Sequence, residues 1–115
     1  MEPGVDRARL HITFARALLA KSGSSDEAVR LLSSAHGDVL ACLGPDAPEF
    51  VEAARALGDA LEHAERRDDA LWHYESILDR RPTRCETVRM VADRLETLGS
   101  GRLADCYELW MTLDP

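Results

Sequence analysis

Apolar side chains recur at spacings of three and four along the whole chain. No segment alternates apolar and polar residues in the way a half-buried strand requires. The spacing predicts six helices. The first runs from about residue 5 to 21, with Ile12, Phe14, Ala15, Leu18 and Leu19 on a wide apolar face. Ser22-Gly23-Ser24 closes it, and Ser25-Asp26-Glu27 offers a cap and early acidic charge for the second. That helix carries Ala28, Leu31, Leu32, Ala35, Val39 and Leu43 and continues through Gly37. Gly44-Pro45-Asp46-Ala47-Pro48 reads as a loop. The third helix spans about residues 48–67, with Val51, Ala54, Leu57, Gly58 and Leu61 on one side. Asp68 and Asp69 mark the turn into the fourth, which carries Ala70, Leu71, Tyr74, Ile77 and Leu78 and stops at Arg81-Pro82-Thr83. The fifth spans about residues 83–98. Gly99-Ser100-Gly101 breaks the chain, and the sixth helix carries Leu103, Tyr107, Trp110 and Leu113 before Pro115.

A fixed period lies beneath these helices. Shifting the third helix by 34 residues places Glu52 on Glu86, Arg55 on Arg89, Asp59 on Asp93 and Glu62 on Glu96. Leu61 falls on Leu95, Leu57 on Val91 and Gly58 on Ala92. Pro48 and Pro82 are also 34 apart, and Pro115 lies 33 beyond Pro82. Ala28 to Ala70 spans 42, the extra length falling between Val39 and Glu49.

Ala54-x-x-Leu57-Gly58-x-x-Leu61, followed by Asp69-Ala70-Leu71, Tyr74, Ile77 and Pro82, resembles the tetratricopeptide repeat, whose unit is a 34-residue helical hairpin. Leu43-Gly44-Pro45-Asp46-Ala47-Pro48 makes the first unit similar to the longer repeat of kinesin light chains and many bacterial tetratricopeptide proteins. The resemblance implies an all-α domain over residues 1–115. Three tandem helix-turn-helix units, about 5–46, 47–82 and 83–115, would stack six antiparallel helices into a short right-handed solenoid. Such units bury their apolar faces only by stacking, and about three are needed for stability. The resemblance places Gly58 and Ala70 at a close helix crossing, with Leu57, Leu61 and Tyr74 in the core. It also implies a protein- or peptide-binding module, with a self-assembling scaffold or an accessory subunit of a bacterial biosynthetic or regulatory complex as the alternative.

Charge narrows the function classes. Fourteen Lys and Arg oppose 21 Asp and Glu, a formal net charge of −7, which does not suit general nucleic-acid binding and favours solubility and basic partners. No stretch approaches the ~20 apolar residues of a membrane span, and the acidic start Met1-Glu2-Pro3-Gly4-Val5-Asp6 does not read as a signal peptide. Cys42, Cys85 and Cys106 form no Cys-x-x-Cys pair and read as reduced, at least partly buried thiols of a cytoplasmic protein. Thirteen Arg against one Lys, with 16 Ala and 16 Leu, resembles the output of a GC-rich bacterial genome.

The candidate site is the repeated stripe. Glu52, Arg55, Asp59 and Glu62 are spaced to share one helix face, and Glu86, Arg89, Asp93 and Glu96 repeat it. Two readings stay open. The stripes are a solvated face held by local pairs such as Glu52–Arg55 and Arg55–Asp59, or they line the groove that the first helices of tetratricopeptide hairpins form. A groove with six acids and two arginines would favour a basic or mixed-charge ligand. The family's carboxylate clamp needs donors that Leu10, Thr13, Ala17 and Ala20 do not supply.

His63 stands beside Glu62 at the end of the stripe and could meet His73 and Glu75 across the hairpin, though the histidines read chiefly as exposed or capping. No His/Cys cluster has zinc spacing, and no nucleophile constellation or phosphate loop occurs, so neither metal, cofactor nor catalysis is expected. Arg66–Arg67 and Arg80–Arg81 read as cations at helix C-termini. The sixth helix spreads Leu103, Tyr107, Leu109, Trp110, Met111 and Leu113 around its circumference. Either the chain is a fragment whose next element covers them, or Leu103, Tyr107, Trp110 and Met111 form a partner or homodimer surface, or the face is simply exposed.

Overall fold

The computed structural model describes residues 3–21, 25–44 and 46–113. They form six α-helices and no strand: α1 Pro3–Lys21, α2 Ser25–Leu43, α3 Pro48–His63, α4 Arg67–Asp79, α5 Cys85–Leu98 and α6 Leu103–Leu113. Ser22-Gly23-Ser24, Pro45 and Pro115, three of the breaks that the sequence marks, lie outside the described residues. Each helix packs on the next, and α3 also touches α1 and α5. The result is a slab of 40 × 35 × 17 Å.

Two boundaries differ from the sequence reading. α3 stops at His63, not near Arg67, and the turn is Ala64-Glu65-Arg66. Asp68 and Asp69 lie in the first turn of α4, where carboxylates meet the positive end of the helix dipole. α5 begins at Cys85, two residues after Thr83.

The short period is visible in how the helices end. At α5, Gly99 adopts a left-handed conformation; its N–H bonds Glu96 O, and Ser100 N–H bonds Leu95 O at 2.9 Å. This is a Schellman closure. Thirty-four residues earlier Glu65, at φ 58, makes the same pair of bonds, its N–H to Glu62 O and Arg66 N–H to Leu61 O. Arg81, also at positive φ, ends α4 with one such bond, to Leu78 O. The following residue is Pro82, which has no N–H to give a second.

The core follows the apolar spacing through all six helices, from Ala8, Ile12 and Ala15 of α1 to Cys106 and Leu109 of α6. Gly58, Ala70, Leu57, Leu61 and Tyr74 are all buried. A methyl group at Gly58 would overlap the Tyr74 phenol, so the glycine is what lets that ring lie against α3. Arg7 donates two hydrogen bonds to Asp38, at 2.8 and 3.0 Å, and joins α1 to α2. Asp46 accepts from both the N–H and the hydroxyl of Thr83 and ties the α2–α3 loop to the α4–α5 loop. Those bonds hold its carboxyl below the ordinary carboxylate range.

Three expectations are corrected. Cys42 is exposed; only Cys85 and Cys106 are partly or fully buried. Arg66 and Arg67 stand at the start of α4, not at a C-terminus of α3. Arg67 reaches across to donate to Leu98 O, so the helix whose negative end it serves is α5. His73 is buried, not exposed.

Candidate functional site

The two stripes occupy neighbouring helices, since α3 and α5 touch. Their inward neighbours explain why the stripe points out. Val51, Ala54, Leu57 and Leu61 on α3, and Val88, Val91 and Leu95 on α5, take the buried faces. Glu52, Arg55, Glu86, Arg89, Asp93, Glu96 and His63 are exposed, while Asp59 and Glu62 are half-buried.

The local pairs Glu52–Arg55 and Arg55–Asp59 do not form. On α3 the cation that reaches the stripe is Arg94, from α5. It pairs with Asp59 at 2.8 Å and with Glu62 at 3.6 Å, clamping the two helices together. Glu86 pairs with Arg84 at 3.1 Å. Among the described residues Arg55, Arg89, Glu52, Asp93 and Glu96 have no ion pair, so charges of both signs remain uncommitted on this face. A cleft of about 330 Å³ between the helices is lined by Arg55, Met90, Asp93, Arg94 and Thr97.

Tyr74, packed against Gly58, has its hydroxyl buried without a hydrogen-bond partner. Desolvation drives its pKa upward, so the phenol stays protonated in the field of Arg94, Asp59, Glu62 and Arg55.

On the far side of α5 the character changes. A groove of about 430 Å³ runs between α5 and α6, lined by Val88, Arg89, Ala92, Asp93, Leu103, Cys106, Tyr107 and Trp110. Leu103, Tyr107 and Trp110 therefore come together, while Met111, 58% exposed, does not line the groove, and Leu109 is buried in the core. Asp93 belongs to both hollows and forms the ridge between them.

A third hollow, of about 450 Å³, lies between α4 and α6, and no sequence spacing marks it. Arg102 spans it, paired with Asp79 at 2.8 Å and Asp105 at 3.0 Å. The bond from Arg102 holds the Asp79 carboxyl below its ordinary range.

The histidines are arranged differently from the sequence reading. His63 and His73 do not meet. His73 is 6% exposed, with Nε2 2.9 Å from Ala54 O, and its ring stands edge-on to His36 at 5.1 Å between centroids. His36 also lies 4.9 Å from the Phe50 ring. Desolvation first, then His73 and Arg80, pull the His36 pKa down to about 4, and desolvation lowers that of His73. The sequence signal was present: His36 follows Leu32 by four and His73 follows Ala70 by three, both on core-facing rows. Among the described residues no group of three or more His, Cys, Asp or Glu could hold a metal ion. No described helix is long and apolar enough to cross a membrane.

The chain matches no protein-family model, no curated protein and no solved structure.

Proposed function

We propose that this chain is a cytoplasmic protein-interaction module of the tetratricopeptide kind, three helical hairpins stacked as a short right-handed solenoid. Two features support that architecture: α3 touches both α1 and α5, and the same helix closure recurs 34 residues apart at Glu65 and Gly99. Stacked hairpins offer extended surfaces suited to partners without supplying chemistry. The module binds; it does not catalyse.

The observation that carries the reading is the row of exposed charges without ion pairs on α3 and α5. Arg55 and Arg89 would receive ligand carboxylates, while Glu52, Asp93 and Glu96 would receive ligand cations. Asp59 and Glu62 serve the fold through Arg94. The ligand class is an extended mixed-charge peptide. Fluorescence polarisation with peptides that alternate acidic and basic side chains tests this. Binding is expected to weaken with added salt and to fall at least tenfold on combined Arg55→Glu and Arg89→Glu, with unchanged far-ultraviolet circular dichroism. Equal binding by the double variant, or no binding by the parent, overturns it.

A further inference from the structure

The open groove between α5 and α6 has an occupied counterpart one hairpin earlier. With the 33-residue spacing of Pro82 and Pro115, Leu103, Cys106, Tyr107 and Trp110 fall on Ala70, His73, Tyr74 and Ile77. All four are buried; His73 turns toward His36 of α2, while Ala70, Tyr74 and Ile77 lie in the α3–α4 hairpin against which α5 packs. On the first helices, Ala92 falls on Gly58 and Val88 on Ala54. The groove is thus a second seat for a helix like α5, with Tyr107 left 66% exposed.

The opposite end of the molecule carries such a helix. Adding the spacings of 34 and 42 sets Ile12, Ala15 and Leu19 on Val88, Val91 and Leu95, matching the inward faces of α1 and α5. The same register sets Phe14 on Met90. Met90 is 4% exposed and lines the cleft between α3 and α5, whereas Phe14 and Leu10 are each 51% exposed. Phe14 lines an apolar hollow of about 400 Å³ with Ala17, Lys21, Glu27 and Leu31. Charge agrees as well. α1 carries four cations and one carboxylate, while α5 and α6 together carry five carboxylates and two arginines. Within the hollows, Lys21 and Glu27 would face Asp93 and Arg89. Lys21 lies one turn beyond the α1 position equivalent to Arg94, the residue that already joins α5 to Asp59.

The geometry points to head-to-tail self-association: α1 of one copy seats in the α5–α6 groove of the next, extending the stack that α3 and α5 build within the chain. The inference rests on the repeat architecture proposed above, and its groove shares Arg89 and Asp93 with the peptide-binding face. Unlike a two-fold pairing of α6 with α6, this contact joins different surfaces and does not close, so it propagates.

Sedimentation velocity over a concentration series tests it. The parent is expected to grow beyond a dimer in steps of 12.7 kDa. Phe14→Glu and Tyr107→Glu alter exposed positions at opposite ends, and each variant alone should be monomeric. Mixed in equal amounts they should form a dimer and nothing larger, because one keeps its groove and the other its α1 face. Circular dichroism of each variant establishes that helicity is kept. A strictly monomeric parent overturns the inference and assigns the groove to some other occupant. Dimerisation of Phe14→Glu alone overturns it in favour of α6 pairing, and failure of the two variants to complement overturns it outright. Arg89 and Asp93 line the groove and also belong to the peptide face, so the two proposals are separated with Phe14→Glu, which alters neither α3 nor α5: it should lose self-association while peptide binding is kept.

Discussion

Tyr74 is fully buried with its ring against Gly58 and its hydroxyl unpartnered. An orphaned buried hydroxyl costs about 1–3 kcal/mol of desolvation. Tyr74→Phe removes that cost while keeping the ring, and should raise stability by about 1 kcal/mol in a thermal or denaturant melt. Gly58→Ala places a methyl group where the phenol lies and should lower stability by roughly 1–3 kcal/mol. The repeat gives an internal contrast. Ala92 stands where Gly58 stands one hairpin earlier, and Tyr107, the counterpart of Tyr74, remains outside. A one-carbon difference on the first helix thus accompanies the open groove beside it.

At the scale of elements, all six helices were legible from apolar spacing, because each buries a face against a neighbour. The turn between α3 and α4 was not. It contains no glycine, and its left-handed residue is Glu65, which sequence does not mark as a helix stop. Asp68 and Asp69 have the chemistry of turn formers, yet they serve as first-turn carboxylates of α4. At Gly99 the chemistry and the conformation agree, and the helix stop is legible. A non-glycine residue at positive φ pays roughly 1 kcal/mol. Glu65→Gly relieves that cost but gives back about 0.4–1 kcal/mol to the greater entropy of the unfolded chain, so it should raise stability by no more than about 0.5 kcal/mol in chemical denaturation. The stripe residues were legible for the same reason as the helices, since i, i+3 and i+4 positions share a face. Their pairing was not, because Arg94 joins two helices and no local spacing announces a contact across 35 residues of sequence.

At the scale of the whole molecule, the edge-on contact of His36 and His73 joins α2 to α4. Both have folded-state pKa values below the ordinary histidine range, His36 at about 4. The unfolded chain therefore takes up protons first as the pH falls, and stability is drained between about pH 6.5 and pH 4. Above that window both rings are neutral in both states and contribute no pH dependence. The loss from His36 is on the order of 2–3 kcal/mol. Urea denaturation at pH 7.5 and pH 4.5 should show the difference, and His36→Phe should flatten much of it. A parent whose stability is the same at both pH values would contradict this account.

One compositional detail acquires weight from its position. The chain has thirteen arginines but a single lysine, and Lys21 lines the hollow beside Phe14. A guanidinium stays protonated and is a poor nucleophile near neutrality, whereas an amine can be acylated. Among the side chains, an amine-directed acylating reagent or acetyltransferase thus has one target in this protein. Acylation there would neutralise the only basic residue of that hollow and leave every arginine-based ion pair in the fold untouched.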